Sequence, residues 1–210
     1  MPCRRAWIAS LFVLAGCGQA TPEAVRVGFF VTSRGSGNGG DLGGLEGADA
    51  RCAELADEAG LPPRQWRAFL SASGGRHARD RVGEGPWLNA AGVEVAESLE
   101  GLIENGVDSE HMLDEYGEVA AKSSAPGIEH DIITGSDDLG MLWGEGDQFT
   151  CADWTSNSPD DRVRVGHHDW EELPNGDWIQ SWTSVHSSGC DEETMAFQFG
   201  SGRTYCFAID

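Results

Sequence analysis

Basic residues are scarce in this 210-residue chain: 14 Lys and Arg stand against 35 Asp and Glu, a formal net charge of −21 at pH 7. Nucleic-acid binding needs a basic footprint, so that function class is excluded. The same imbalance disfavours heparin-like polyanions and electrostatic docking on anionic lipid. It is compatible with a divalent cation or a cationic partner, and an acidic shell also simply keeps an exported protein soluble. Short catalytic signatures are missing as well. There is no GxSxG and no HExxH, and nothing ties the Ser, His and Asp residues into a triad. Without CxxC or His-x₃-His spacing, local sequence predicts no zinc site. The reading is therefore non-enzymatic, with no required cofactor.

What is present begins with the N-terminus. Arg4 and Arg5 precede an apolar stretch, Ala6 to Leu14, that is too short for a bilayer span of about 20 residues. Leu14-Ala15-Gly16-Cys17 resembles the bacterial lipobox. That resemblance implies a signal peptide over 1–16 and acylation of Cys17, with a lipidated tether over 17–24. Several acyl chains at about 0.8 kcal/mol per buried CH₂ hold a domain on a membrane. Gly18 rather than Asp after the cysteine implies the outer membrane where an envelope has two. Loss of Arg4 and Arg5 with the leader leaves 12 basic against 35 acidic residues, a net charge near −23.

Of six cysteines, Cys3 leaves with the signal and Cys17 carries lipid. Cys52, Cys151, Cys190 and Cys206 remain, and an even number in an oxidising compartment predicts two disulfides with three pairings open. An apolar content of 40% suits one core and one domain, 25–210. Val25 to Thr32 reads as a strand with Val25, Val27, Phe29 and Val31 on one face. Leu45 to Ala59 reads as a helix that turns Ala48, Cys52 and Leu55 inward and ends at Gly60. Trp66 to Leu70 is a second strand, 86–96 a strand and turn, and Ser98 to Ile103 a short helix. Residues 105–130 are polar and carry little pattern. The C-terminal part reads as short aromatic segments between turns, including Met141-Leu142-Trp143, Ala152-Asp153-Trp154, Asp177-Trp178-Ile179, Met195 to Phe199 and Tyr205 to Ile209. One early helix followed by many short strands and long loops is an α+β pattern.

Several clusters invite a chemical reading. Gly35-Ser36-Gly37-Asn38-Gly39-Gly40 formally matches GxGxxG, but Asp41 would repel a phosphate and the helix begins later, so a flexible turn is the better account. His167-His168-Asp169 offers metal-ligand types, yet neighbours in a strand point to opposite sides, and a polar surface loop is the simpler expectation. Asp137, Asp138, Glu145, Asp147 and Asp153 are hard oxygen donors in a Gly-rich segment, a candidate Ca²⁺ site. Asp137 serves equally as a turn cap. Trp66, Trp143, Trp154, Trp178 and Trp182 offer faces for sugar stacking, against a core role for each.

Gly44 to Cys52, Ala59-Gly60-Leu61 and Trp66-Arg67-Ala68-Phe69-Leu70-Ser71 resemble the start of an endostatin-like domain. Gly135-Ser136-Asp137, Cys151-Ala152-Asp153-Trp154-Thr155 and Tyr205-Cys206 resemble that family's later elements. The match runs from about Val25 to Asp210 and is patchy between 72 and 130. It implies a C-type-lectin-like fold with one main N-terminal helix, short twisted antiparallel strands, long loops and the nested disulfides Cys52–Cys206 and Cys151–Cys190. The departures are informative too. Residues 18–34 contain no His, so the family's zinc ligands do not transfer, and its arginine-rich heparin face is absent. Ser158-Pro159-Asp160-Asp161 is only a distant echo of a lectin calcium loop. The resulting expectation is a membrane-anchored recognition or adhesion module for a protein or glycan ligand of the envelope, matrix or neighbouring cells. The alternatives are a structural envelope lipoprotein without a specific ligand, and a hydrolase with an unrecognised site.

Overall fold

The strand nearest the C-terminus, β9 (Tyr205–Ala208), lies in the middle of a three-stranded antiparallel sheet, between β1 (Phe29–Val31) and β2 (Trp66–Ala68). The computed structural model describes residues 26–120, 129–169 and 181–210. All four residues of β9 and all three of β1 are buried, which is why both read as unbroken apolar runs. Alternation sends Tyr205 and Phe207 with Phe29 and Val31 into one core, and Cys206 and Ala208 with Phe30, Trp66 and Ala68 into another. The first core is a stack of aromatics, with Phe207 centred 4.9 Å from Phe29 and 5.2 Å from Trp87.

The second core is closed by α1 (Gly44–Glu58), whose buried residues are Ala48, Asp49, Cys52, Leu55 and Ala56. The helix ends where Gly60 adopts φ +72°, its N–H bonded to Asp57 O and that of Leu61 to Ala56 O. This is the reciprocal pair that a left-handed glycine after a helix makes possible. Cys52 bonds Cys206, tying α1 to β9, and Cys151 bonds Cys190. That is the nested pairing which the family resemblance implies, and two disulfides fit folding in an oxidising, extracytoplasmic compartment. Among the described residues no helix is long and apolar enough to cross a membrane.

Between these elements lie a hairpin of β3 (Trp87–Leu88) and β4 (Glu94–Ala96), then α2 (Leu99–Asn105), capped by the Ser98 hydroxyl accepting from Gly101 N–H. The second large sheet has the order β7-β6-β5-β8, from β5 (Asp131–Ile133), β6 (Arg162–His167), β7 (His186–Gly189) and β8 (Gly200–Arg203). Strands β5, β6 and β7 are antiparallel neighbours, whereas β5 and β8 run parallel. The mixed α+β architecture agrees with the sequence expectation. The segment around Met195 to Phe199 does not form a strand: α4 (Glu192–Phe197) ends within it, its N-terminus capped by Asp191 accepting from Thr194 N–H. Asp191 followed by Glu192 and Glu193 is a helix-start pattern, and it outweighs the aromatic alternation that suggests a strand.

Ala152-Asp153-Trp154 is not a strand either. Cys151–Trp154 forms α3, a single left-handed turn with φ between +49° and +69° at four consecutive non-glycine residues. Such a turn costs about 1–2 kcal/mol per residue and persists only where its surroundings over-determine it. Here Cys151 is bridged, Trp154 is fully buried with its Nε1–H on Ser71 O, and Asp153 accepts from Ser73 and pairs with Arg76 at 2.9 Å. Ala152 lacks such an anchor, since its side chain is only partly buried. Ala152→Gly is therefore expected to stabilise the domain by about 0.5–1 kcal/mol, net of the extra unfolded-state entropy of glycine. Thermal unfolding checks this, and a lower midpoint would contradict it.

Candidate functional site

Register in the four-stranded sheet brings three ionisable side chains to one end of one face. Asp131, the first residue of β5, stands directly opposite His167, the last of β6. His186, the first of β7, pairs with Val165, two residues from His167 and on the same face. Opposed residues on neighbouring strands have Cβ atoms about 5 Å apart, and diagonal ones remain within reach of long side chains. The result is a triangle of three side chains built on a buried carboxylate. Asp131 Oδ1 lies 3.1 Å from His167 Nε2, Asp131 Oδ2 lies 3.4 Å from His186 Nε2, and the two Nε2 atoms are 3.2 Å apart.

A second layer surrounds this triangle. His130, just before β5, stacks on the His167 ring at 4.0 Å and places Nε2 3.4 Å from Asp131 Oδ1. Its Nδ1 meets Asp169 Oδ1 at 3.0 Å. Phe199 holds an edge against His130 from outside, with ring centres 6.1 Å apart. The Asp131 side chain is 3% exposed and that of His186 38%, so the cluster is buried at its base and open on the β7 side.

Distances around Asp131 are short but directions are poor. Among the described residues neither of its oxygens accepts a hydrogen bond, and His167 Nδ1 and His168 Nε2 are also buried without one. Unsatisfied buried polar atoms are rare in folded proteins, and the two Asp131 oxygens side by side ask for an explanation such as a bound ion. Burial pushes the Asp131 carboxyl up, but the His167 and His186 imidazoles outweigh this and hold it below its ordinary value. Asp131 in turn raises His186, against the opposing effect of burial. Burial pushes His168 down to about 4, so it is neutral at physiological pH. The site thus carries an anionic carboxylate ringed by nitrogen donors. Two overlapping sets, His130 with His167 and Asp169, and Asp131 with His167 and His186, each offer three ligating atoms within 4.8 Å of one another.

The expectation of a polar surface loop at His167-His168-Asp169 is corrected. His167 ends β6, and all three residues are buried, at 7%, 1% and 7% exposure. A strand that begins at the exposed Arg162 carries the histidines inward, and the alternation argument holds in that His167 alone of the adjacent pair reaches the triangle. Of the five acids named as a calcium candidate, two hold local structure. Asp153 anchors the left-handed turn, and Asp137 accepts from Leu139 and Met141 N–H as a turn cap. Asp138, Glu145 and Asp147 are exposed, and neither three-ligand group includes any of the five.

Trp66, Trp154 and Trp182 are core residues at 5%, 0% and 4% exposure. Trp143 carries the Arg164 guanidinium 4.0 Å above its ring, and Trp178 lies outside the described residues, as do Cys17 and the segment 1–25. The glycine run is more than a flexible turn. A Cβ at Gly39 would strike the Cys190 carbonyl at 2.1 Å, and one at Gly40 the Cys151 sulfur at 2.2 Å, so these glycines let the loop lie against the Cys151–Cys190 bridge. His130, Asp131 and His186 escape a local sequence reading because they are dispersed over 57 residues. The one available signal is that four of the six histidines fall between 130 and 186. No protein-family model and no curated protein sequence matches the chain.

Proposed function

We propose that this chain is a non-enzymatic recognition module of the cell envelope. In this reading residues 1–16 are an export signal, and acyl chains on Cys17 hold the module on the outer membrane. Residues 25–210 form an endostatin-like, C-type-lectin-like domain. Its binding centre is the Asp131 cluster, and its ligand is a protein or glycan of the envelope, matrix or neighbouring cells. The observation that carries the reading is the Asp131 carboxylate, 3% exposed and without a hydrogen bond among the described residues, in a cluster that opens to solvent at His186. Burying such a group costs free energy that a bound ligand returns. The tether of about eight residues spans at most roughly 25–30 Å, so the ligand is met close to the membrane.

Glycan-array and envelope-extract capture by the purified chain, beside its Asp131→Asn and His186→Ala variants, tests this. A specific ligand is expected to bind the native chain and to be lost by at least about tenfold from both variants. Equal capture by all three would overturn the placement of the site. Turnover on an ester, glycoside or peptide panel that both variants abolish would replace recognition by catalysis.

A further inference from the structure

We propose that Asp131, His167 and His186 together bind one divalent transition-metal ion of the zinc class, an inference that rests on this cluster being the binding centre. The spacing of the donors is the first argument. The two Nε2 atoms are 3.2 Å apart, each lies 3.1 or 3.4 Å from one oxygen of the Asp131 carboxylate, and one ligand atom per residue can be chosen within 4.8 Å of the others; ligands bonded to a tetrahedral ion at about 2.0–2.1 Å lie about 3.3 Å apart. The donor set is the second. Two imidazole nitrogens and one carboxylate oxygen suit zinc and its first-row neighbours, whereas calcium and magnesium take oxygen almost throughout.

The alternative occupant of the triangle is a set of protons, and the geometry fits that poorly. Two Nε2 atoms at 3.2 Å share one proton between them, and neither Asp131 oxygen is approached along a hydrogen-bonding direction. One ion held between the three side chains takes both nitrogen lone pairs and one carboxylate oxygen. His130 supplies the outer support such sites need. Asp169 fixes it through Nδ1, and its Nε2 faces the Asp131 carboxylate at 3.4 Å. Because the three ligands stand on adjacent strands of fixed register, little ordering remains to be done on binding. His186, 38% exposed, marks the entry side and leaves a fourth position for water or a donor from the recognised ligand. The net charge of −21 raises the local concentration of cations.

Calorimetric titration of the chelator-stripped chain with ZnCl₂, and separately with CaCl₂, reads the proposal. One Zn²⁺ per chain is expected with no calcium response. Asp131→Asn and His186→Ala should each weaken zinc binding at least about 100-fold, and His130→Ala about 10–100-fold. Asp131→Asn keeps the side-chain shape, and His186 sits at the open side, so near-UV circular dichroism should stay native in both. Co²⁺ in place of Zn²⁺ should give the visible absorption of a tetrahedral N/O site, lost in His186→Ala. Absence of zinc binding, or affinity unchanged in Asp131→Asn and His186→Ala, overturns the metal. Should zinc fail to bind while Asp131→Asn still abolishes ligand capture, the recognition centre stands without a metal. Should zinc bind as expected while capture ignores both variants, the metal stands and the recognition reading falls.

Discussion

Replacing Cys52 and Cys206 together by alanine is expected to lower the stability of the domain by about 5 kcal/mol, and removal of the Cys151–Cys190 pair by about 4 kcal/mol. The difference follows from chain length. The first bridge joins residues 154 apart and the second residues 39 apart, and a longer closed loop removes more entropy from the unfolded chain. Domains of this size hold about 5–15 kcal/mol in total, so the Cys52–Cys206 variant is expected to be marginal. Guanidinium unfolding of both double variants under oxidising conditions, followed by tryptophan fluorescence, measures this. A loss below about 1 kcal/mol for the first pair would mean that the unfolded chain is held compact by something other than the bridge.

Asp49→Ala is expected to cost about 3–5 kcal/mol, although Asp49 lies on the first helix and far in sequence from the groups it serves. Its carboxylate accepts from Ala68 N–H in β2, accepts on both oxygens from Arg81 Nη2 at 2.7 and 2.8 Å, and pairs with Arg67 at 2.6 Å. Arg81 is 14% exposed, so removing its partner strands a cation away from water. Arg67 is 42% exposed, and Arg67→Ala should cost only about 0–1 kcal/mol. A double-mutant cycle between positions 49 and 81 isolates the buried pair, and equal losses for Asp49→Ala and Arg67→Ala would contradict this ranking.

Both cases bear on how much of the molecule is legible from the chain. Local signals served well where one segment decides its own conformation. The spacing of Ala48, Cys52 and Leu55 with Gly60 behind them specifies α1, and it ends one residue from the expected boundary. Trp66 to Ala68 and Trp87 to Ala96 form strands where alternation and turns place them. Local reading failed where the partner is distant. Strand β7 is His-Ser-Ser-Gly, with no apolar alternation, and it exists because β6 lies beside it. Strand β8 is Gly-Ser-Gly-Arg and depends in the same way on β5.

The candidate site was hidden for the same reason. Asp131, His167 and His186 meet through strand register, which a one-dimensional spacing rule does not contain. The acids of 137–153 lie close together in sequence, yet Asp137 accepts from the backbone of its own turn and Asp153 from Ser73. Proximity along the chain favours turn caps; proximity across a sheet favours sites.

The central position of β9 also sets the order of events when the chain is made. Strand β1 pairs with β9, and so does β2; neither pairs with the other. The thiol of Cys52 likewise waits for a partner 154 residues further on. No N-terminal portion can therefore complete the central sheet while synthesis is under way. The central sheet closes only once residues 205–208 are available to pair with both of its outer strands. Contacts of such long range make folding slow, leaving time for the two disulfides to form as the sheet closes.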